Sequence, residues 1–164
     1  MKRTALLLVL LTAALCGMAQ PREKSVGIQT NYHNWQNAVD GMKGTDYGVG
    51  VRFQYEMLNQ FYVVPNANIY FGEGIDYDAS IDFHYMFMAT MNMCVYPILG
   101  ACYADYKNIG TTKSTLLGGN LGLGFQYTLS SSLTLNGEYK YQMFFLNDAD
   151  CDVINFGLSL SYRF

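Results

Sequence analysis

The chain is short of charge: Asp, Glu, Lys and Arg make up 14% of its 164 residues, with 10 basic and 13 acidic side chains. Removing Lys2 and Arg3 with a predicted leader leaves 8 basic and 13 acidic side chains, a net charge of −5. Binding to a nucleic-acid backbone needs a basic patch. This balance therefore argues against a nucleic-acid partner.

Cysteine is also scarce, and the predicted mature chain keeps an odd number: Cys94, Cys102 and Cys151. An odd count excludes a complete internal disulfide framework. Cys94 and Cys102 are separated by about 27 Å if they share one strand, so they cannot pair with each other. Cys102 could meet Cys151 in the last loop, and free thiols are the alternative.

One long uncharged run, "YMFMATMNMCVYPILGACYA" at 85–104, has the length of a transmembrane helix. Pro97 in its middle, together with Asn92 and Gly100, disfavours a helix. We predict two strands joined by a tight turn at residues 89–90.

At the N-terminus, two basic residues precede an apolar run over 5–15 and a small-residue cleavage site. This pattern predicts a signal peptide at 1–19, cleaved on export, and leaves 20–164 as one domain. Leu15 stands before Cys16, where a lipoprotein signal needs a small residue, so a lipid anchor is not expected.

Aromatic residues are abundant, with 14 Tyr and 10 Phe, and they fall in alternating segments. In "DYGVGVRFQYEM" (46–57) the odd positions are apolar or aromatic and the even positions are polar or glycine, which predicts a strand with two unlike faces. Eight such runs are predicted, at approximately 25–33, 46–57, 61–71, 79–88, 91–104, 115–128, 133–146 and 153–164.

The connections between these runs alternate in length. The predicted long loops are 34–45, 72–78, 105–114 and 147–152, and short turns lie between them. A meander of this kind has all its long loops at one end, which is typical of an outer-membrane barrel.

Strand length and aromatic position decide which face points outward. About 11 residues at roughly 3.4 Å each, tilted about 40°, climb near 28 Å, the height of the apolar band of such a barrel. Aromatics gather at both ends of the apolar face, as two bilayer interfaces require. The predicted lipid-facing aromatic girdle comprises Tyr47, Phe71 and Phe145 near the long loops and Tyr55, Tyr127, Tyr162 and Phe164 near the short turns. We therefore predict an all-β fold, an eight-stranded antiparallel up-and-down transmembrane β-barrel.

Eight strands enclose a lumen that side chains fill. The even faces assign a polar network to it: Arg52, Glu56, Asp82, His84, Glu138 and Lys140. We expect a neutral set of buried ion pairs that plugs the barrel, since a narrow interior penalises an unpaired charge. The alternative is a gate or proton-responsive core with His84 beside Asp82.

Other functions have less support in the residues. An enzyme acting on lipid needs a nucleophile and base on the lipid face, whereas His33 and His84 fall on the inward face, so no catalytic residue and no cofactor are expected. The acidic stretch "DADCD" at 148–152 and the pair Asp76 and Asp78 lack the ligand set of a calcium motif, so no metal is expected. A soluble lipocalin-type barrel would need an apolar lumen.

The segments "GGNLGLGFQYTLSSSLTLNGEYKYQ", "DFHYMF", "YPILG" and the terminal "VINFGLSLSYRF" resemble the small outer-membrane β-barrel family, described as porin-family, OmpX-like or OmpA-barrel-like, in its Bacteroidota form. The resemblance implies an integral outer-membrane protein with a structural, adhesive or envelope-interaction role through its loops, or alternatively a narrow porin-like channel. Lipid and lipopolysaccharide are the expected partners. The terminal Phe164 implies recognition by the outer-membrane assembly machinery.

Overall fold

The computed structural model describes residues 22–37, 44–72, 75–106, 115–145 and 150–164. The predicted signal peptide at 1–19 and part of each predicted long loop lie outside these residues. Within the described part of the chain, no helix is long and apolar enough to span a membrane.

The described residues form nine strands. They are β1 (Lys24–Asn37), β2 (Thr45–Leu58), β3 (Phe61–Phe71), β4 (Ile75–Tyr85), β5 (Phe87–Thr90), β6 (Met93–Tyr106), β7 (Thr115–Thr128), β8 (Leu133–Phe145) and β9 (Asp150–Arg163). Since β4 and β5 pair with the same strand and are separated only by Met86, they are two parts of one wall strand. The wall therefore has eight strands.

All pairings are antiparallel and the sheet closes on itself. Successive wall strands pair with one another, with both β4 and β5 pairing to β6. β1 pairs with β9 from Ser25 opposite Arg163 to Asn37 opposite Asp152. The predicted eight-stranded up-and-down barrel is confirmed.

Side-chain exposure follows the predicted alternation. On β2, Val49 and Val51 are 47% and 55% exposed, whereas Asp46 and Arg52 are 2% exposed. The apolar face therefore points away from the barrel and the polar face lines its interior. A water-soluble barrel would have the opposite arrangement.

The strands extend further into the predicted long loops than the sequence indicated. β1 extends to Asn37, β6 to Tyr106, and β4 and β9 begin at Ile75 and Asp150. At these ends inward positions carry apolar side chains such as Trp35, whereas outward positions carry polar ones. The alternation of the apolar band is therefore reversed there and does not mark the strand. Backbone pairing nevertheless continues there, because the ladder does not depend on which side chains it carries.

The uncharged run 85–104 is two strands, as predicted, but its turn lies at Met91 and Asn92 and not at 89–90. Met88 is opposite Cys94, and a register shift between Met88 and Thr90 places Thr90 opposite Met93. This bulge inserts one residue that a regular count cannot anticipate.

Candidate functional site

The centre of the lumen contains four charged side chains from three strands. Arg52 lies on β2, Asp82 on β4, and Glu138 and Lys140 on β8, and none of the four is more than 8% exposed. Each occupies an even position of a strand whose odd positions face outward. The two-residue period of the strands therefore carries them into one interior layer.

These four side chains form a chain of ion pairs. Arg52 Nη1 lies 2.7 Å from Glu138 Oε1, and Lys140 Nζ lies 3.1 Å from Asp82 Oδ2 and 3.5 Å from Glu138 Oε2. Two cations face two carboxylates, so the group is formally neutral. The Arg52–Glu138 contact has the length of a strong charge-assisted hydrogen bond, and its attraction opposes the desolvation cost of burying these charges.

Neutral side chains also form hydrogen bonds with the charged groups, although Arg52 Nε has no partner among the described residues. Asp82 accepts hydrogen bonds from Asn66 Nδ2 at 3.0 Å and Asn120 Nδ2 at 2.7 Å. Glu138 accepts one from the Tyr96 hydroxyl at 3.1 Å. Arg52 donates to Ser159 Oγ at 3.1 Å. With these partners the network joins β2, β3, β4, β6, β7, β8 and β9 across the lumen.

A further carboxylate lies on the long-loop side of this layer. Asp78, predicted to be in a solvated loop, is 2% exposed inside the lumen, where it accepts hydrogen bonds from Asn68 Nδ2 at 2.6 Å and the Tyr70 hydroxyl at 3.0 Å. The loop prediction was wrong because β4 begins at Ile75, and Asp78, four residues before Asp82 on that strand, shares its inward face.

The two histidines are both fully buried in the lumen, but in different surroundings. His33 Nε2 lies 2.9 Å from the Tyr70 hydroxyl and 2.8 Å from Asn155 Nδ2. His84 stacks on Tyr96 with ring centroids 4.5 Å apart, and neither of its ring nitrogens has a hydrogen-bond partner among the described residues. His84 therefore lies beside the ion-pair network and is not hydrogen-bonded into it.

Glu56 lies apart from the central layer with which it was grouped. Its carboxylate accepts hydrogen bonds from the backbone N–H of Glu23 at 3.2 Å and of Gln60 at 3.4 Å, at the short-turn rim. It follows Arg52 by four residues on β2, which at about 3.4 Å per residue moves it roughly 13 Å along the strand. Its even position on β2 predicted the correct face for Glu56 but did not place it at the level of the central layer along the barrel axis.

Apolar side chains close the lumen on both sides of the polar layer. The cluster toward the long loops comprises Trp35, Tyr70, Ile75, Cys102, Ala104, Leu116, Phe144 and Val153. The cluster toward the short turns comprises Tyr62, Val64, Met86, Tyr96 and Ile98, with Cys94 packed against it. Sequence reasoning missed most of these, although the even positions of β6 would have indicated Tyr96 and Ile98.

Cavities agree with a filled interior. A cavity of about 10 Å3, room for roughly one water molecule, lies at the short-turn mouth beside Tyr62 and Gln126. The larger hollows, of about 950 and 850 Å3, are open grooves lined mainly by apolar outward-facing side chains such as Phe125, Leu158 and Ile28.

The predicted girdle residues all face outward. Tyr47, Phe71 and Phe145 are 61%, 67% and 66% exposed, and the short-turn members other than the half-buried Tyr55 are between 41% and 63% exposed. Ring contacts between outward-facing aromatics occur toward both ends of the wall, as between Tyr32 and Tyr47 at 5.1 Å and between Tyr85 and Phe87 at 4.8 Å.

The thiols and acidic residues give no metal centre of the usual kind. Cys94 and Cys102 are free, and the side chain of Cys151 lies outside the described residues. Among the residues that the structure describes, no group of three or more His, Cys, Asp or Glu side chains could hold a metal ion.

Comparison with known proteins identifies the class of this barrel. Residues 5–164 match the outer membrane protein beta-barrel domain family, and the chain belongs to that family. It is an integral protein of the bacterial outer membrane. No curated protein matches the chain.

Solved structures share this fold at low sequence identity. Ail, the attachment invasion locus protein of Yersinia pestis, solved in complex with the heparin analogue sucrose octasulfate, is 18% identical with a TM-score of 0.62, covering 88% of this chain and all of Ail. The N-terminal β-barrel domain of Pseudomonas aeruginosa OprF is 16% identical with a TM-score of 0.62, covering 85% of this chain and 97% of that domain. Neisserial surface protein A is 16% identical with a TM-score of 0.60, covering 85% and 95%.

Proposed function

We propose that the protein is a non-conducting outer-membrane barrel that acts through its extracellular loops, in a structural, adhesive or envelope-interaction role. The observation that carries this proposal is the filled lumen. Four ion-paired side chains occupy its centre and an apolar cluster lies on either side. A solute would have to break buried ion pairs to pass, so the functional surface is the outside of the barrel.

The alternative, a narrow channel, predicts discrete current steps in planar bilayers. We expect none for the wild type at neutral pH, and none for Glu138→Gln, which loosens the central layer without removing the apolar clusters. Discrete steps that change size in Glu138→Gln would favour the channel and the role of His84 as a gate. Steps of unchanged size would indicate a contaminating porin.

The loop-bearing end of the barrel is acidic, and this charge suggests what kind of partner it binds. Across the predicted loops 34–45, 72–78, 105–114 and 147–152 the sequence has eight acidic and three basic residues, and six of the acidic ones remain when the buried Asp78 and Asp105 are left out. Carboxylates bind divalent cations, and such cations can bridge to the phosphates of lipopolysaccharide. We therefore propose lipopolysaccharide as the partner of this end. The heparin analogue bound by Ail is anionic, so a comparable ligand would need a basic surface here.

A loop-deletion series tests this contact. Shortening 107–112 or 38–42, each joined by two glycines, should weaken retention of the purified protein on lipopolysaccharide vesicles in magnesium and leave barrel folding unchanged. Chelation with EDTA should release the wild type. Binding that persists in EDTA and in every loop variant would contradict the proposal.

We also propose that the barrel is not an enzyme and that it is exported by cleavage after residue 19. His33 and His84 are 0% exposed inside the lumen, where a lipid substrate at the outer surface does not reach them. Unchanged lipid A masses with and without the protein, and a mature mass beginning at Gln20, are the expected results.

A further inference from the structure

The hairpin at the short-turn end concentrates sulfur. Residues 86–94 read MFMATMNMC, so four of the nine methionines of the chain and one cysteine fall within nine positions. The other five methionines are spread over the remaining 155 residues. The hairpin is built from β5, the turn at Met91 and Asn92, and the start of β6.

This hairpin extends beyond the continuous wall. On one side the wall ends where Tyr85 pairs with Phe61 and Met86 N–H donates to Gln60 O at 2.8 Å. Past that point β5 pairs with β6 alone among the described strands. The short-turn end of an outer-membrane barrel faces the periplasm, so the tip of the hairpin is open to that compartment.

Packing does not account for the methionines at the tip. Methionine in a core fills irregular gaps. Met88 is 72% exposed and Met91 is 98% exposed, so neither fills one.

The cross-strand register brings three of the sulfur-bearing side chains to one face. Met88 lies directly opposite Cys94, and such pairs have Cβ atoms about 4.5–5.5 Å apart. Met86, between β4 and β5, precedes Met88 by two residues, the spacing at which an extended backbone directs side chains to the same side. Met86 belongs to the buried cluster against which Cys94 packs, and Cys94 is a free, half-buried thiol.

We propose that Met86, Met88 and Cys94 form a binding site for a soft monovalent cation, Cu(I) or Ag(I), on the periplasmic side of the barrel. Thiolate and thioether ligands select Cu(I) over harder cations. The unbranched methionine side chains can swing their Sδ atoms toward Cys94 Sγ. On binding, the Cys94 thiol loses its proton to solvent and the thiolate neutralises the charge of the cation.

The surroundings favour a soft ion over a hard one. Residues 85–104 contain no Asp, Glu, His, Lys or Arg, so the hairpin itself offers sulfur, the neutral side-chain oxygens of Thr90 and Asn92, and backbone oxygen as its ligands. Mg²⁺ and Ca²⁺ need carboxylate oxygens, which this segment lacks. The pairing of β5 with a single strand also lets the hairpin adjust around a bound ion.

The test is anaerobic titration of the detergent-purified full protein with Cu(I) in competition with the chromogenic chelator bicinchoninate. We expect one Cu(I) per chain. Cys94→Ser and Met88→Leu should each weaken binding by at least about tenfold, the lower limit even for loss of an outer-shell partner. Because Met88 is exposed, Met88→Leu should fold normally, which heat-modifiable gel mobility checks.

Matched controls separate this site from adventitious sulfur. Cys102→Ser removes another free thiol and Met143→Leu an outward-facing methionine, and both should bind as the wild type does. The proposal would be overturned if the wild type failed to withhold Cu(I) from bicinchoninate, or if Met88→Leu bound Cu(I) with wild-type affinity. It would also be overturned if Cys102→Ser lost as much affinity as Cys94→Ser. X-ray absorption should show sulfur ligands, and a shell of nitrogen and oxygen alone would also overturn it.

Discussion

Replacing Glu138 by glutamine should expose the energetic role of the central network. Arg52 is 2% exposed and its guanidinium lies 2.7 Å from Glu138, whereas Lys140 keeps Asp82 at 3.1 Å. The variant retains the shape of the side chain but leaves Arg52 buried without a carboxylate. Removing one partner of a buried ion pair costs about 3–5 kcal/mol, so we expect the free energy of unfolding to fall by that amount.

The matched control is the double variant Arg52→Met with Glu138→Gln. It removes both charges and leaves the Lys140 and Asp82 pair intact, so its loss should be clearly smaller than that of the single variant. The chain has one tryptophan, Trp35, buried in the lumen, and its fluorescence reports urea unfolding in detergent. A Glu138→Gln protein within about 0.5 kcal/mol of the wild type, the range of ordinary surface substitutions, would refute the reasoning.

Three further predictions address the wall. Val51→Arg should lower membrane assembly and, if Val51 lies near the midplane, reduce the free energy of unfolding by about 2–4 kcal/mol. Urea unfolding in vesicles measures this loss, and normal insertion would contradict the outward placement of Val51. Gly122→Ala would put a methyl group against a main-chain oxygen of β8 and should lower the free energy of unfolding by about 1–3 kcal/mol. In Gly119→Ala the methyl group would have no neighbour closer than 3.8 Å, so this control should be tolerated in the same assay. Deleting Phe164 should slow assembly in cells without changing refolding in detergent, and equal slowing in both would argue for a structural role.

The strands of this barrel and the orientation of their side chains could be predicted from sequence where successive residues face lipid and lumen in turn. On β2 the alternation between Val51 and Arg52 follows directly from that contrast, and the structure reproduces it. Past the apolar band this contrast is reversed, because inward side chains such as Trp35 are apolar there. The end of β1 beyond His33 and the start of β4 up to Asp78 were therefore missed, although the backbone ladder continues through them.

The contents of the lumen were harder to predict than its wall. Parity selects which side chains point inward, so the four charged members of the network could be assigned to the interior. It does not give their relative heights, which depend on the stagger between neighbouring strands. Tyr96, on a strand with weak alternation, was therefore not recognised as a partner of Glu138. Glu56 needed no stagger to be separated from Arg52, because four residues on one strand already move it roughly 13 Å away.

The way the network spans the barrel also bears on how the wall can assemble. Arg52 comes from β2 and its carboxylate partner from β8, 86 residues later, while Asp82 and Lys140 are 58 residues apart. A half-formed sheet would expose these charges to lipid with nothing opposite them. Each ion pair is completed only when distant parts of the chain meet, so closure and insertion should occur together as one cooperative step, with open sheets too unfavourable to accumulate in the bilayer.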